Sequence, residues 1–181
     1  MNIQKTYDSK TIIFHWLCAT IILGLWIVAH TIDFFPKGTP RITVRSFHIT
    51  FGIILIILLT LRINWRLSNG IKLPQAVPGV LGKVAVGTHY FLYILMASVV
   101  TLGIAAVWIR GDNIFNLFTI PAFDPSNKQL REDVVDLHGL FANALLILAG
   151  LHALVAIWHH KVIKDDVLKR IWPKVSNYFK S

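Results

Sequence analysis

Cysteine occurs once in the 181 residues, at Cys18, which excludes a disulfide within the chain and any cysteine-rich metal cluster. Acidic residues are also scarce, 9 Asp and Glu against 18 Lys and Arg. Charge as a whole is thin. Only 15% of residues are charged while 55% are hydrophobic, and the mean hydropathy is +0.60. That balance is too apolar for a soluble domain of this length. The sequence also lacks low-complexity tracts and a clear internal repeat, so it reads as one domain over residues 1–181.

Four apolar runs take up most of the chain: residues 12–32, 48–64, 90–109 and 137–158. Each is close to the ~20 residues that cross a hydrocarbon layer of ~30 Å as a helix. The third run has no Lys, Arg, Asp, Glu or His, and the first and fourth have histidine as their one polar titratable type. Lys5 and Lys10 ahead of the first run give it the flank of a secretory signal. Its apolar part is too long for one, and no small-residue cleavage site follows, so a retained helix is expected. With the N-terminus cytoplasmic, the inner segments (1–11, 62–89 and 159–181) hold 12 of the 18 basic residues and 3 of the 9 acidic ones. The whole net charge of +9 then lies inside, as the positive-inside rule requires. The basic character is therefore a topology signal with anionic lipid as its partner, and no nucleic-acid binding is implied.

The expected architecture is all-α: a multi-pass four-helix up-and-down membrane bundle with both termini cytoplasmic. Phe34 to Pro40 supply two prolines and a glycine for a turn, so the second helix is expected from near Arg45. Ser68 to Gly82 form the inner connection. Arg110, Gly111 and Asp112 open the longest outer loop, whose apolar patch at residues 114–118 is expected to lie flat on the membrane. Residues 161–181 read as an amphipathic cytoplasmic tail, with Val167, Leu168, Ile171 and Trp172 on one side.

Within this frame the histidines carry the chemistry. Intramembrane ionisable side chains are costly and mark function by default. His138 and His152 are 14 residues apart on the fourth helix, which returns them to within about 40° of one face and separates them by about 21 Å. Depth then pairs His15 with His152 at the inner level and His48 with His138 at the outer level. Two bis-histidine haems stacked across the bilayer fit that layout, since filling both axial positions suits electron transfer. No C-x-x-C-H is present, so attachment would be non-covalent. Gly52, one turn after His48, and Ala142, Ala149, Ala153 and Ala156 leave room for a flat macrocycle. His30 competes at the outer level, His89 and His159 are candidates for the surroundings of the inner haem or a substrate, and His160 is expected in solvent. Arg45 and Arg110 outside, and Arg62, Arg66 and Lys161 inside, are candidates for binding haem carboxylates.

The ordered set Phe14-His15-Trp16-Leu17, Phe34-Phe35-Pro36, His48-x-x-x-Gly52, Gly87-Thr88-His89, Arg110-Gly111, His138, Gly150-Leu151-His152 and His159-His160 resembles the bacterial cytochrome b-561 family over essentially the whole chain. It resembles in particular the family's small four-helix di-haem members that oxidise superoxide and pass electrons to ubiquinone. The resemblance implies two haem b groups with His15, His48, His138 and His152 as axial ligands, and ubiquinone as one redox partner. His30 has no counterpart in the family pattern.

The function expected is transfer of single electrons across the bilayer to or from the quinone pool, with superoxide or a redox protein as donor. If superoxide is the donor, Lys37, Arg41, Arg45 and Arg110 are the residues that would attract the anion from outside. Two other readings stand beside this one. The chain could be a cytochrome b anchor relaying electrons from a dehydrogenase or hydrogenase, or a haem-free histidine transporter or proton relay. The last would call for helix breaks at mid-membrane and intramembrane carboxylates, neither of which the sequence has.

Overall fold

The computed structural model describes residues 6–172. Four long helices dominate it: α1 Ser9–Thr31, α2 Thr39–Ser68, α3 Gly79–Arg110 and α4 Lys128–Trp158. All four are long and apolar enough to cross a membrane. Every helix is longer than the apolar run that announces it, because its polar ends continue past the hydrocarbon layer, where hydropathy falls but helix geometry does not. The largest difference is at α2. Pro40, read as a turn residue, sits in its first helical turn, where a missing N–H costs nothing. Asp8 caps α1 by accepting from Thr11 N at 2.9 Å, and Asn127 caps α4 by accepting from Leu130 N at 2.9 Å.

The helices form two tight antiparallel pairs, α1 with α2 and α3 with α4, and the pairs meet each other much less. The buried apolar cluster that joins them is small: Leu59, Leu95, Met96 and Leu145. Leu145 is midway between His138 and His152, so the plug stands between the level of His48 and His138, the outer chamber in the orientation expected from the sequence, and the level of His15 and His152, the inner chamber. A Cβ built on Gly24, Gly52, Gly139 or Gly150 would meet nothing within 4 Å.

Residues 114–118 form a tight antiparallel hairpin pairing Asn113 with Thr119 and Ile114 with Phe118. Phe115 and Asn116 turn it with φ of 50° and 56°, the primed geometry that matches strand twist. The hairpin is clasped to α2: Phe115 N donates to Ser46 Oγ at 2.8 Å, and its ring meets Phe47 edge-on at 5.2 Å. At the inner end the chain after α4 makes a π-helical turn, His159–Ile163, and a short 3-10 turn, Leu168–Arg170. It then folds under the bundle. Trp16 Nε1 donates to Ile171 O at 3.0 Å, the Trp16 and Trp172 rings meet at 5.7 Å, and Arg170 donates to Pro74 O at 2.6 Å. The expected tail beyond residue 172 lies outside the described residues.

Candidate functional site

The outer chamber brings His48 of α2 and His138 of α4 together, with ring centroids 6.3 Å apart and planes at 84°. Each ring is held from the neighbouring helix. His48 Nδ1 lies 3.1 Å from Leu25 O of α1, and His138 Nδ1 lies 3.0 Å from Val99 O of α3. A carbonyl only accepts, so Nδ1 carries the hydrogen in both rings and Nε2 keeps its lone pair. All four helices thus take part in fixing one tautomer on each side. A metal bound between two imidazoles needs two bonds of about 2 Å, and each ring centre lies about 1 Å behind its nitrogen, so centroids should stand about 6 Å apart. The observed pair meets that spacing. The Nδ1–H to carbonyl contact is also the usual outer support of a metal-binding histidine.

Room for the rings is built into the helices. Gly103, one turn after Val99, faces His138: a Cβ there would lie 3.1 Å from Cε1 and 3.5 Å from Nδ1. Beside His48, Thr20, Gly24, Val28, Val44 and Phe51 help to line an apolar cavity of about 410 Å³ between α1 and α2. Gly52, expected to leave space, has it. His30 does not join this site. Its Nδ1 bonds Trp26 O in its own helix at 2.9 Å, and its ring lies on Trp26 at 4.1 Å.

The inner chamber gathers three histidines where the depth argument paired two. The His152 ring meets that of His89 at 5.1 Å, and His15, His89, His152 and Arg62 are electrostatic neighbours. His89 Nδ1 bonds Ala85 O at 2.7 Å. Arg62 Nη2 donates to His15 Nδ1 at 3.1 Å, and its guanidinium stands over Tyr93 at 5.4 Å. Because guanidinium only donates, the His15 hydrogen is on Nε2 in this arrangement. Both rings of the outer pair therefore keep a free Nε2 lone pair, whereas Nδ1 of His15 is engaged by Arg62. Of the other inner cations, Arg66 serves the fold, bonding Ile71 O at 2.7 Å and covering Tyr7 at 4.7 Å, and Lys161 is exposed.

Beyond the inner chamber His159 Nδ1 is 2.6 Å from Asp165 Oδ2. Burial works to raise the Asp165 carboxyl, but hydrogen bonds with His159 and Val167 N outweigh it and hold the carboxyl below its ordinary range. His160, expected in solvent, is half-buried, and its Nδ1 is buried without a partner among the described residues.

On the outer face the cations expected to attract an anion are mostly matched by acids. Arg41 pairs with Asp33 at 3.1 Å and bonds Phe35 O at 2.8 Å. Arg45 and Arg110 both hold Asp112, at 3.5 and 3.6 Å. Lys37 has no acidic partner among the described residues. Asp112, read only as the start of a loop, is 4% exposed. Burial pushes its carboxyl up, and Arg110 and Arg45 pull against that.

The family model described as prokaryotic cytochrome b561 matches residues 6–174. The chain belongs to the prokaryotic cytochrome b561 family. Among its relatives, a probable superoxide oxidase CybB of Yersinia pestis is 30% identical, over 94% of this chain and 98% of the relative. Cytochrome b561 homolog 2 of Escherichia coli K12 is 27% identical over 97% and 96%, and a cytochrome b562 of Cereibacter sphaeroides is 26% identical over 94% and 98%. Membership makes the chain a multi-pass bacterial membrane cytochrome for electron transfer and implies haem b. The outer histidine pair fits that group.

Proposed function

We propose that this cytochrome carries two haem b groups, with His48 and His138 as axial ligands in the outer chamber and His15 and His152 in the inner one. It moves single electrons across the cytoplasmic membrane between an outer donor and ubiquinone, with both termini inside. The observation that carries the reading is the His48 and His138 pair, spaced for one metal and locked in the right tautomer by carbonyls of α1 and α3. Haem held by these residues would supply a one-electron couple at each level. The chain's own part is to orient the imidazoles, exclude water through the mid-membrane plug, and hold the two levels about 21 Å apart along α4.

The donor best supported is superoxide, on the strength of the Yersinia pestis relative's printed name and the family resemblance. Two superoxide anions would yield two molecules of oxygen and two electrons, which with two protons reduce one ubiquinone to ubiquinol. His159, fixed by Asp165, and His89 are the candidate groups on the inner, quinone side. The second reading, an anchor for a dehydrogenase or hydrogenase, is favoured by the pairing of Arg41, Arg45 and Arg110 with acids, which leaves little outward field to draw an anion. The test is oxygen release and ubiquinol formation by purified protein under a steady superoxide source. Stoichiometric release supports the oxidase. A fully haem-loaded protein that superoxide leaves oxidised, copurifying with a larger redox subunit, supports the anchor.

A further inference from the structure

A cleft of about 440 Å³ opens at the outer end of the bundle, lined by Arg45, Arg110, Arg131, Glu132, Val135 and Asp136. Its place is set by helix arithmetic. Arg45 lies three residues outward of His48, or about 4.5 Å, and Arg131 lies seven residues outward of His138, or about 10.5 Å. Arg110 lies seven residues outward of Gly103, the glycine against the His138 ring. The cleft thus sits directly over the outer histidine pair. Its charges nearly cancel: three guanidiniums face Asp112, Glu132 and Asp136. A free anion would gain little there from net charge.

One donor is nevertheless left over. Arg45 Nε is buried with no acceptor among the described residues, although Nη1 of the same side chain reaches Asp112. A buried, charged N–H without an acceptor costs several times what an exposed one does, so it marks a place for a hydrogen-bonding acceptor. Asp112 does not fill it. Gly111, at φ 69°, turns the chain so that Asp112 is held between Arg45 and Arg110, and a Cβ at Gly111 would lie 2.8 Å from that of Ala122. Ile120 N bonds Asp112 O at 3.0 Å and locks the turn.

We propose that Arg45, with Arg110, binds a carboxylate of the haem held by His48 and His138, and that Asp112 is the positioning residue that fixes both guanidiniums and lowers the net charge this haem experiences. The assignment rests on the haem reading above and deepens it. Reduction adds one negative charge to the haem, so a nearby cation favours the reduced form and a nearby anion opposes it. Removing Arg45 must therefore lower the midpoint potential of the outer haem, and removing Asp112 must raise it.

The experiment is redox titration, followed optically, of detergent-purified holoprotein: wild type, Arg45→Gln, Arg45→Lys and Asp112→Asn. The outer component is identified as the one that survives in His152→Ala. The expected result is a lower outer potential in Arg45→Gln, partial recovery in Arg45→Lys, a higher one in Asp112→Asn, and an unchanged inner haem throughout. Loss of the outer haem in Arg45→Gln alone, with Asp112→Asn still loaded and raised, also supports the cradle. Both haems present at wild-type potentials in Arg45→Gln and Asp112→Asn would overturn it. A wild type without haem would instead sink the reading on which the cradle rests.

Discussion

Gly103→Ala should weaken haem binding at the outer level without weakening the helix that carries it. The added Cβ would stand 3.1 Å from His138 Cε1, whereas carbon atoms rest comfortably at about 3.6 Å. The ring must retreat by roughly half an ångström. It cannot do so freely, because Nδ1–H is fixed to Val99 O at 3.0 Å on the same helix. Overpacking of this kind costs about 1 to 3 kcal/mol, and disturbing the outer support of a metal-binding histidine typically costs 10- to 100-fold in affinity. Alanine in place of glycine inside a helix returns up to about 1 kcal/mol of helix stability. The two effects partly offset, so thermal stability of haem-depleted protein should fall by no more than about 2 kcal/mol while haem retention falls. The assay is haem-to-protein ratio after dilution and gel filtration, with thermal unfolding by circular dichroism in parallel. Gly103→Val should exaggerate the loss. Full retention of both haems in Gly103→Val would refute the claim that this glycine makes room for the ligand.

Three further outcomes follow from other residues. Asp8 accepts hydrogen bonds from Thr11 N, Thr11 Oγ1, Trp65 Nε1 and Ile71 N. Burial works to raise its carboxyl, but those bonds together hold it at about 2 against an ordinary 3.8. A depressed carboxyl stabilises above the unfolded value and loses that effect as pH falls through the folded one. Wild type should therefore exceed Asp8→Asn in stability above pH 4, by roughly 1 kcal/mol because four charge-assisted bonds become neutral ones in a solvent-screened site, and the two should converge below pH 2 in unfolding curves. His15→Ala should remove the inner haem while His89→Gln keeps it, read from haem stoichiometry; the reverse would make His89 the ligand. Trp16→Phe removes the indole bond to Ile171 O, so limited proteolysis should cut the segment after residue 163 several-fold faster, with haem content unchanged.

Much of the architecture was legible because a membrane makes it so. Uncharged runs of helical length have few alternatives in lipid, and the basic segments were consistent with one orientation. The depth of each histidine was legible for the same reason, since a rise of about 1.5 Å per residue turns sequence position into depth. The partners of the outer rings were not, because Leu25 and Val99 contribute carbonyl oxygens, which no side-chain pattern encodes. Gly103 did carry a signal, an isolated glycine inside an apolar helix, which often marks a close approach. His89 carried one too: it lies at the depth of His15 and His152, yet its place at the start of an apolar run made it look interfacial. Asp112 was hidden by its loop, because its burial depends on the left-handed turn at Gly111. The hairpin was missed since Phe115 is not a usual residue for a primed turn and no glycine accompanies Asn116.

The most direct test of the account is the reduced-minus-oxidised absorption spectrum and haem-to-protein ratio of purified wild type and His138→Ala. Two low-spin b haems per chain in wild type, with one lost in the variant while the inner one keeps its spectrum, is the result the account predicts. A wild type that takes up no haem, or a His138→Ala variant that keeps both, would contradict it.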